Sequence, residues 1–183
     1  VHAVRIPRHG GPEVLESVDL PDPSAGDGEV LVDLAAVGVN FIDTYFREGI
    51  YPAPLPLVPG VEGAGTVREV GPGVTGFAPG DRVAWTNTLG SYATVAAVPA
   101  TDLVVVPEAI DFETATAVVL QGMTAHYLVH DTHPVAPGDA VLVHAGAGGM
   151  GLLLCQMASA RGARVLATTS SEEKDALSRE AGA

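Results

Sequence analysis

Between two apolar runs, Ala140-Val-Leu-Val-His144 and Arg164-Val-Leu-Ala-Thr168, the chain carries Gly146-Ala-Gly148-Gly-Met-Gly151 and then Leu152 to Ala160, a helix candidate. This glycine pattern constrains the fold more than any other feature. Glycine turns are common in a chain with 22 glycines, so the pattern alone is weak. Its place between strand and helix, inside a β-α-β unit, gives it meaning. Glycine permits the tight turn and lets the backbone approach a pyrophosphate, while the helix N-terminus offers free N–H groups and a positive dipole end. The pattern predicts a nucleotide site at Gly148, Gly149, Met150 and Gly151, with a purely structural turn as the alternative.

The end of the second strand bears on which nucleotide fits. An NAD site usually places Asp or Glu about 20 residues after the fingerprint, to hold the ribose hydroxyls. Here the sequence reads Thr168-Thr169-Ser170-Ser171, and Lys174, the only lysine, follows. Hydroxyls at Thr169 and Ser170 remove the carboxylate that would repel a 2′-phosphate and can donate to it. Together with Lys174 they favour NADP(H). The plain alternative is a surface lysine paired with Glu172, Glu173 or Asp175.

Composition divides the chain. Lys and Arg total 9 against 22 Asp and Glu, a formal net charge of −13. Up to residue 125 there are 16 acids and 5 bases, net −11, and 12 of the 14 prolines. The later part reads strand, glycine turn, helix, strand, so two units are predicted with a boundary near 111–135. The first reads as β: 3–6, 14–20, 29–34, 65–70 and 91–97 are short runs bounded by Gly, Pro or Asp, which suggests a compact barrel or sandwich. From Asp111 to about His130 a helix is predicted, capped by Asp111 and interrupted at Gly122. The net charge argues against nucleic acid or an anionic membrane as partner. One cysteine excludes an internal disulfide framework and multi-cysteine zinc sites and fits a reducing, cytoplasmic setting. Ala140 to Ala160 is long enough to span a bilayer, but its glycine cluster reads as a turn.

Several segments together resemble one family: His9-Gly-Gly-Pro-Glu-Val-Leu15, Gly38-Val-Asn-Phe-Ile-Asp-Thr-Tyr45, Gly49-Ile-Tyr-Pro52, Pro59-Gly-Val-Glu-Gly-Ala-Gly65, Gly80-Asp-Arg-Val83, Gln121-Gly-Met-Thr-Ala125 and His144 to Gly151. They are similar to the zinc-free, zeta-crystallin-like quinone oxidoreductases of the medium-chain dehydrogenase/reductase superfamily. The resemblance implies an α+β and α/β chain. A GroES-like β-barrel catalytic domain would occupy 1–121, and the first part of a doubly wound Rossmann sheet binding NADP(H) would occupy 122–183. It places Asn40, Tyr45 and Tyr51 at the active site as catalytic residues, and Gln121 and Thr124 near the nicotinamide. Relatives often have Lys at the position of Gln121. Asp43 and Glu62 read as structural or supporting groups.

Zinc members of the superfamily hold the metal with a Cys and a His where this chain has Asn40 and Val61. Neither can act as those ligands do, so no metal is expected. His126, His130 and His133 with Asp131 form a rival constellation, but no Cys or Glu completes a set. Cys155 and His144 read as packing residues. What remains is hydride transfer from a nicotinamide to an electrophilic acceptor. The resemblance implies an NADPH-dependent quinone reductase that is a homodimer at full length. The alternatives are an NADPH-dependent reductase of α,β-unsaturated carbonyls, including an enoyl reductase domain, and a nucleotide-binding crystallin-like structural protein. A dinucleotide fold needs two halves and the sequence given stops within the first. A piece or truncated form of a protein of roughly 320 residues is therefore expected, with weak cofactor binding, an exposed sheet edge and little activity by itself.

Overall fold

The computed structural model describes residues 1–183 and divides into two compact units, Val1–Leu120 and Gln121–Ala183. In the first unit, strands β1 (His2–Arg5) and β2 (Glu16–Asp19) form an antiparallel ribbon. Strands β3 (Glu29–Val37), β4 (Glu62–Val70), β5 (Arg82–Thr86), β6 (Val95–Pro99) and β7 (Leu103–Val105) form an antiparallel sheet ordered β6-β3-β4-β5-β7. Two isolated bridges, Ala3↔Ala93 and Ile6↔Leu57, tie the end of the ribbon to loops of the same unit.

The alternation of side chains assigns the faces. Val83 and Trp85 point into a cluster with Val30, Val32, Val67 and Val98, while Ala84 between them joins Ala64, Val106 and Ala115 on the opposite face. Helix α2 (Phe112–Tyr127) starts over that second face, with Phe112 against the small alanines. Strands β3 and β4 slip register between Leu31 and Val32 and between Leu34 and Ala36. Such irregularities bend a strand and increase its twist. At Gly65 the two backbones approach so closely that a Cβ would strike the Asp33 carbonyl.

The runs at 3–6, 29–34, 65–70 and 91–97 appear as β1, β3, β4 and β6 with shifted ends. The run 14–20 begins as a short 3-10 turn, Pro12–Val14, because Pro at its start favours the tight turn. Strands β5 and β7 and helix α1 (Phe41–Glu48) have no counterpart in the sequence reading. Helix α2 also departs from it, running unbroken through Gly122 and continuing as a π-helical turn, Leu128–Thr132. One glycine costs only about 1 kcal/mol in a helix, less than the neighbouring burial of Ala125 and Val129 supplies. Asp111 caps α2 as expected, its Oδ1 accepting from the Thr114 N–H at 2.6 Å. These bonds, with the charge of Arg82, hold its carboxyl below the ordinary aspartate range.

In the second unit β8 (Ala140–Val143) and β9 (Arg164–Ala167) pair in parallel, joined through helix α3 (Gly149–Ala160), and α4 (Glu172–Glu180) follows. This is the β-α-β arrangement expected of a Rossmann half. Val143, Val165, Cys155, Ala158 and Ala181 form its core. Burial raises the Cys155 thiol above its ordinary range, so it serves as a packing group. The stretch from 140 to 160 is thus divided by its glycines, and no helix of the chain is long and apolar enough to cross a membrane.

Trp85, the chain's only tryptophan, is 1% exposed and reports on the first unit through its fluorescence. Gly65→Ala must push β3 from β4, so it is expected to destabilise that unit by about 1–3 kcal/mol, measured by denaturant unfolding followed at Trp85. An unchanged midpoint would mean that the strands part without cost.

Candidate functional site

The glycine turn is made of two kinds of glycine. Gly146 and Gly151 are buried; a Cβ on Gly146 would lie 2.6 Å from that of Ala167, and one on Gly151 would strike the Ala145 carbonyl. Gly148 and Gly149 are exposed, and a Cβ on Gly149 would meet only Gln121 Cγ, at 4.0 Å. The inner pair lets α3 start hard against the end of β8, and the outer pair leaves the outer surface of the turn bare. Gly151 therefore lies in the packed layer, and only its backbone N–H belongs to the open end of the helix. The first bond of α3 runs from Leu152 N–H to Gly148 C=O at 2.9 Å, which leaves the N–H groups of Gly149, Met150 and Gly151 outside the helical ladder.

The turn is held by the end of β9. Ala145 has a positive φ of 52°, an uncommon conformation for a residue with a Cβ. Thr168 Oγ1 accepts from the Ala145 N–H at 3.1 Å, and Thr168 C=O accepts from the Gly146 N–H at 3.0 Å. His144 Nδ1 meets the same hydroxyl at 3.3 Å, at the strand end. Between the turn and β9 lies a cleft of about 330 Å³ lined by Ala145, Ala147, Gly148, Thr168, Thr169, Ser170 and Lys174. It contains no carboxylate. Ser171 caps α4, accepting from the Lys174 N–H at 3.3 Å, and Lys174 Nζ donates to Ser170 Oγ at 3.1 Å. Asp175, one of the acids that could neutralise Lys174, is instead paired with Arg179 at 2.8 Å. Gln121, at the start of this unit, stands beside Gly149, and Thr124 lies on the same helix, half-buried.

In the first unit, Asn40, Tyr45 and Tyr51 come together around α1. Asn40 is the N-cap of that helix, and Asp43 reaches back to accept from its backbone N–H at 2.9 Å. The Asn40 side chain donates from Nδ2 to Glu62 Oε1 at 2.8 Å, so one amide N–H is committed within the protein. Glu62 is 2% exposed; its carboxyl fills the space beside Gly38, where any Cβ would collide with it. Tyr45 and Tyr51 meet edge to face, with ring centroids 5.4 Å apart. Gly49 ends the helix in the left-handed conformation, and the N–H groups of Ile50 and Tyr51 both return to the Tyr45 carbonyl, at 2.9 and 3.2 Å. Phe41, Ile50 and Tyr51 leave an exposed apolar surface there.

The sequence reading missed Tyr92 here. Its O–H donates to Asp43 Oδ2 at 2.8 Å, the oxygen that also holds the Asn40 N–H. Burial, the hydrogen bond to Asp43 and the charges of Asp43 and Glu62 push the phenol well above the ordinary tyrosine range. The Asn40-x-x-Asp43 capping pattern was the available signal for α1, but nothing local points from Tyr92 to it. Val61, at the other position compared with a zinc ligand, is an apolar side chain 5% exposed. His126 and His130 stack at 4.0 Å, and His130 Nδ1 meets the His126 carbonyl at 2.8 Å, a helix-end contact. No group of three or more His, Cys, Asp or Glu is arranged to hold a metal ion.

Comparison with known proteins places both units. Residues 26–108 match the alcohol dehydrogenase GroES-like domain. Quinone oxidoreductase of Pseudomonas aeruginosa is 48% identical over 182 residues, 98% of this chain and 56% of that protein. A 2-haloacrylate reductase of Burkholderia is 45% identical, over 100% of this chain and 57% of its own length. The structure of Escherichia coli quinone oxidoreductase complexed with NADPH matches with a TM-score of 0.97 at 41% identity, across 100% of this chain and 57% of that one. The chain thus spans a little over half the length of the relatives it matches. A GroES-like first unit, a Rossmann-type β-α-β second unit and this similarity along nearly the whole sequence agree: the chain is homologous to the corresponding part of quinone oxidoreductases of the medium-chain dehydrogenase/reductase superfamily.

Proposed function

We propose that the protein is an NADPH-dependent quinone reductase that works without a metal. Its first unit carries the acceptor-binding residues and its second unit the first half of the cofactor site. The observation that carries the cofactor is the cleft beside the glycine turn, lined by Thr168, Thr169 and Ser170, with Lys174 as its one charged group. The residues present fit the cofactor. The bare outer surface of Gly148 and Gly149 admits a pyrophosphate against the free N–H groups of α3. Lys174, held by a neutral hydroxyl, has donors left for a 2′-phosphate, and no acid stands where a 2′-hydroxyl would be read. Gln121 and Thr124 would lie toward the nicotinamide half.

NADPH supplies the hydride when bound. The residues of this chain then have three tasks: to hold a flat acceptor, to steady the negative charge that develops on its oxygen, and to allow a proton to reach it. Tyr45 and Tyr51 offer phenols and an aromatic wall for a planar ring. Asn40 offers an amide oriented by Glu62. Asn40 and Val61 provide neither the thiolate nor the imidazole through which a zinc alkoxide would be made, which supports direct reduction. A second reading, reduction of an activated alkene, is favoured by the similarity to the 2-haloacrylate reductase and uses the same residues. Assembly of the full-length protein as a homodimer belongs to the proposal and is read by sedimentation.

Steady-state oxidation of NADPH and NADH by the full-length protein, with a naphthoquinone, an enal and a 2-haloacrylate as separate acceptors, tests the reading. The naphthoquinone with NADPH is expected to give the highest kcat/KM. A faster enal or haloacrylate selects the second reading, and NADPH binding without turnover of any acceptor leaves a binding protein. Lys174→Ala is expected to raise the KM for NADPH about 10- to 100-fold, the scale of a hydrogen bond to a charged group, with little change for NADH. An unaltered preference for NADPH would remove Lys174 from the cofactor site.

A further inference from the structure

We propose that Tyr92 is a positioning residue for the acceptor site, acting through Asp43 on Asn40. The proposal rests on the reading of Asn40 as an acceptor-site residue. It is carried by a single oxygen atom: Asp43 Oδ2 accepts from the Asn40 backbone N–H at 2.9 Å and from the Tyr92 hydroxyl at 2.8 Å. Asp43 is 7% exposed and takes part in no ion pair, and its other oxygen, Oδ1, is buried without a partner. The Tyr92 hydroxyl is therefore the side-chain donor that holds this carboxylate against the start of α1.

Tyr92 is itself rigidly placed. Its N–H donates to the Pro59 carbonyl at 3.0 Å, and its carbonyl accepts from the Val4 N–H at 2.8 Å. The ring rests on Gly60, which has a φ of +91° and no room for a Cβ against it. Glu62, two residues after Gly60, accepts from Asn40 Nδ2. One short segment, Pro59 to Glu62, thus supports two of the anchors of Asn40: its side-chain amide directly, and its backbone N–H through Tyr92 and Asp43. Removing the hydroxyl leaves Oδ2 with the backbone bond alone and takes one support from the N-terminus of α1. Tyr45 stands on that helix and Tyr51 packs against Tyr45. Displacement by a fraction of an ångström matters in a site where the acceptor ring must be presented to a hydride donor.

A purely structural hydrogen bond would also be lost in Tyr92→Phe, so the test is a double-mutant cycle with Asn40→Ala in the full-length protein, with NADPH and a naphthoquinone. Tyr92→Phe is expected to lower kcat about tenfold, within the range that small misplacement produces, with the KM for NADPH unchanged. In the Asn40→Ala background the same substitution is expected to have a smaller effect on kcat. An unchanged kcat in Tyr92→Phe overturns the proposal, as does an equal loss in both backgrounds. If Asn40→Ala alone turns over quinone at the normal rate, the acceptor-site reading fails and the proposal with it. A slow Asn40→Ala with a silent Tyr92→Phe removes only the proposal. Should Tyr92→Phe not fold, Asp43→Asn keeps the side-chain shape while weakening both bonds, and the same non-additivity with Asn40→Ala is required of it.

Discussion

Glu62 is a carboxylate buried to 2% exposure, and among its contacts is one hydrogen bond from Asn40. Burying such a group costs several kcal/mol unless hydrogen bonds or an opposite charge offset it. The arginines of the first unit do not provide that charge. Arg5 pairs with Glu16, Arg47 with Glu48, and Arg68 with Asp22 and Asp33, while Arg82 donates to the carbonyls of Glu108 and Ile110, and Arg8 is exposed. Neutral donors must do the work, namely the Asn40 amide for Glu62 and the Tyr92 phenol for Asp43. Each carboxylate keeps one buried oxygen, Asp43 Oδ1 and Glu62 Oε2, without a hydrogen bond, so the network is sensitive to the loss of either donor. The side chains around α1 are fixed by that sensitivity more than by helix propensity, since Phe, Ile, Thr and Tyr are weak helix formers.

Both units solve their closest packing problem with a missing Cβ. In the first, Gly38 makes room for the Glu62 carboxyl and Gly65 for the Asp33 carbonyl. In the second, Gly146 lies against Ala167 and Gly151 against the Ala145 carbonyl. Gly148 and Gly149 are less pressed: a Cβ on Gly148 would lie 3.3 Å from the Ala145 carbonyl and one on Gly149 would meet Gln121 Cγ at 4.0 Å. The motif spacing alone does not separate these two kinds of glycine: a side chain at an inner one collides with the fold, and one at an outer one extends over the exposed surface of the turn.

How far the sequence could be read follows from the range of each signal. The β-α-β order, the cap at Asp111 and the hydroxyl-lined end of β9 are local patterns, and they were legible. Helix α1 was not, because five of its eight residues are aromatic or β-branched and its start depends on an Asn-to-Asp box instead of an apolar period. Strand β7 is three residues long and exists by pairing with β5. Gly122 reads as a break by propensity alone, and the burial of its neighbours overrides that propensity. Tyr92 was out of reach altogether: its role depends on Asp43, 49 residues earlier in the chain, and contacts of that span leave no trace in spacing.

The charge balance, taken alone, argues against a polyanionic cofactor, since the chain carries −13. The second unit taken by itself has a different balance. Residues up to 125 hold −11 of that charge, and the residues that line the cleft beside the glycine turn all come from the part with the remaining −2. At physiological ionic strength charges more than about 8 Å apart are largely screened, so what a phosphate meets is decided by its immediate neighbours. In the proposed site those neighbours would be the backbone N–H groups that begin α3, hydroxyls that can turn as donors, and an ammonium whose local bond goes to a serine and not to an acid. Asp175 completes the arrangement from outside the cleft, because its pairing with Arg179 leaves the Lys174 charge available.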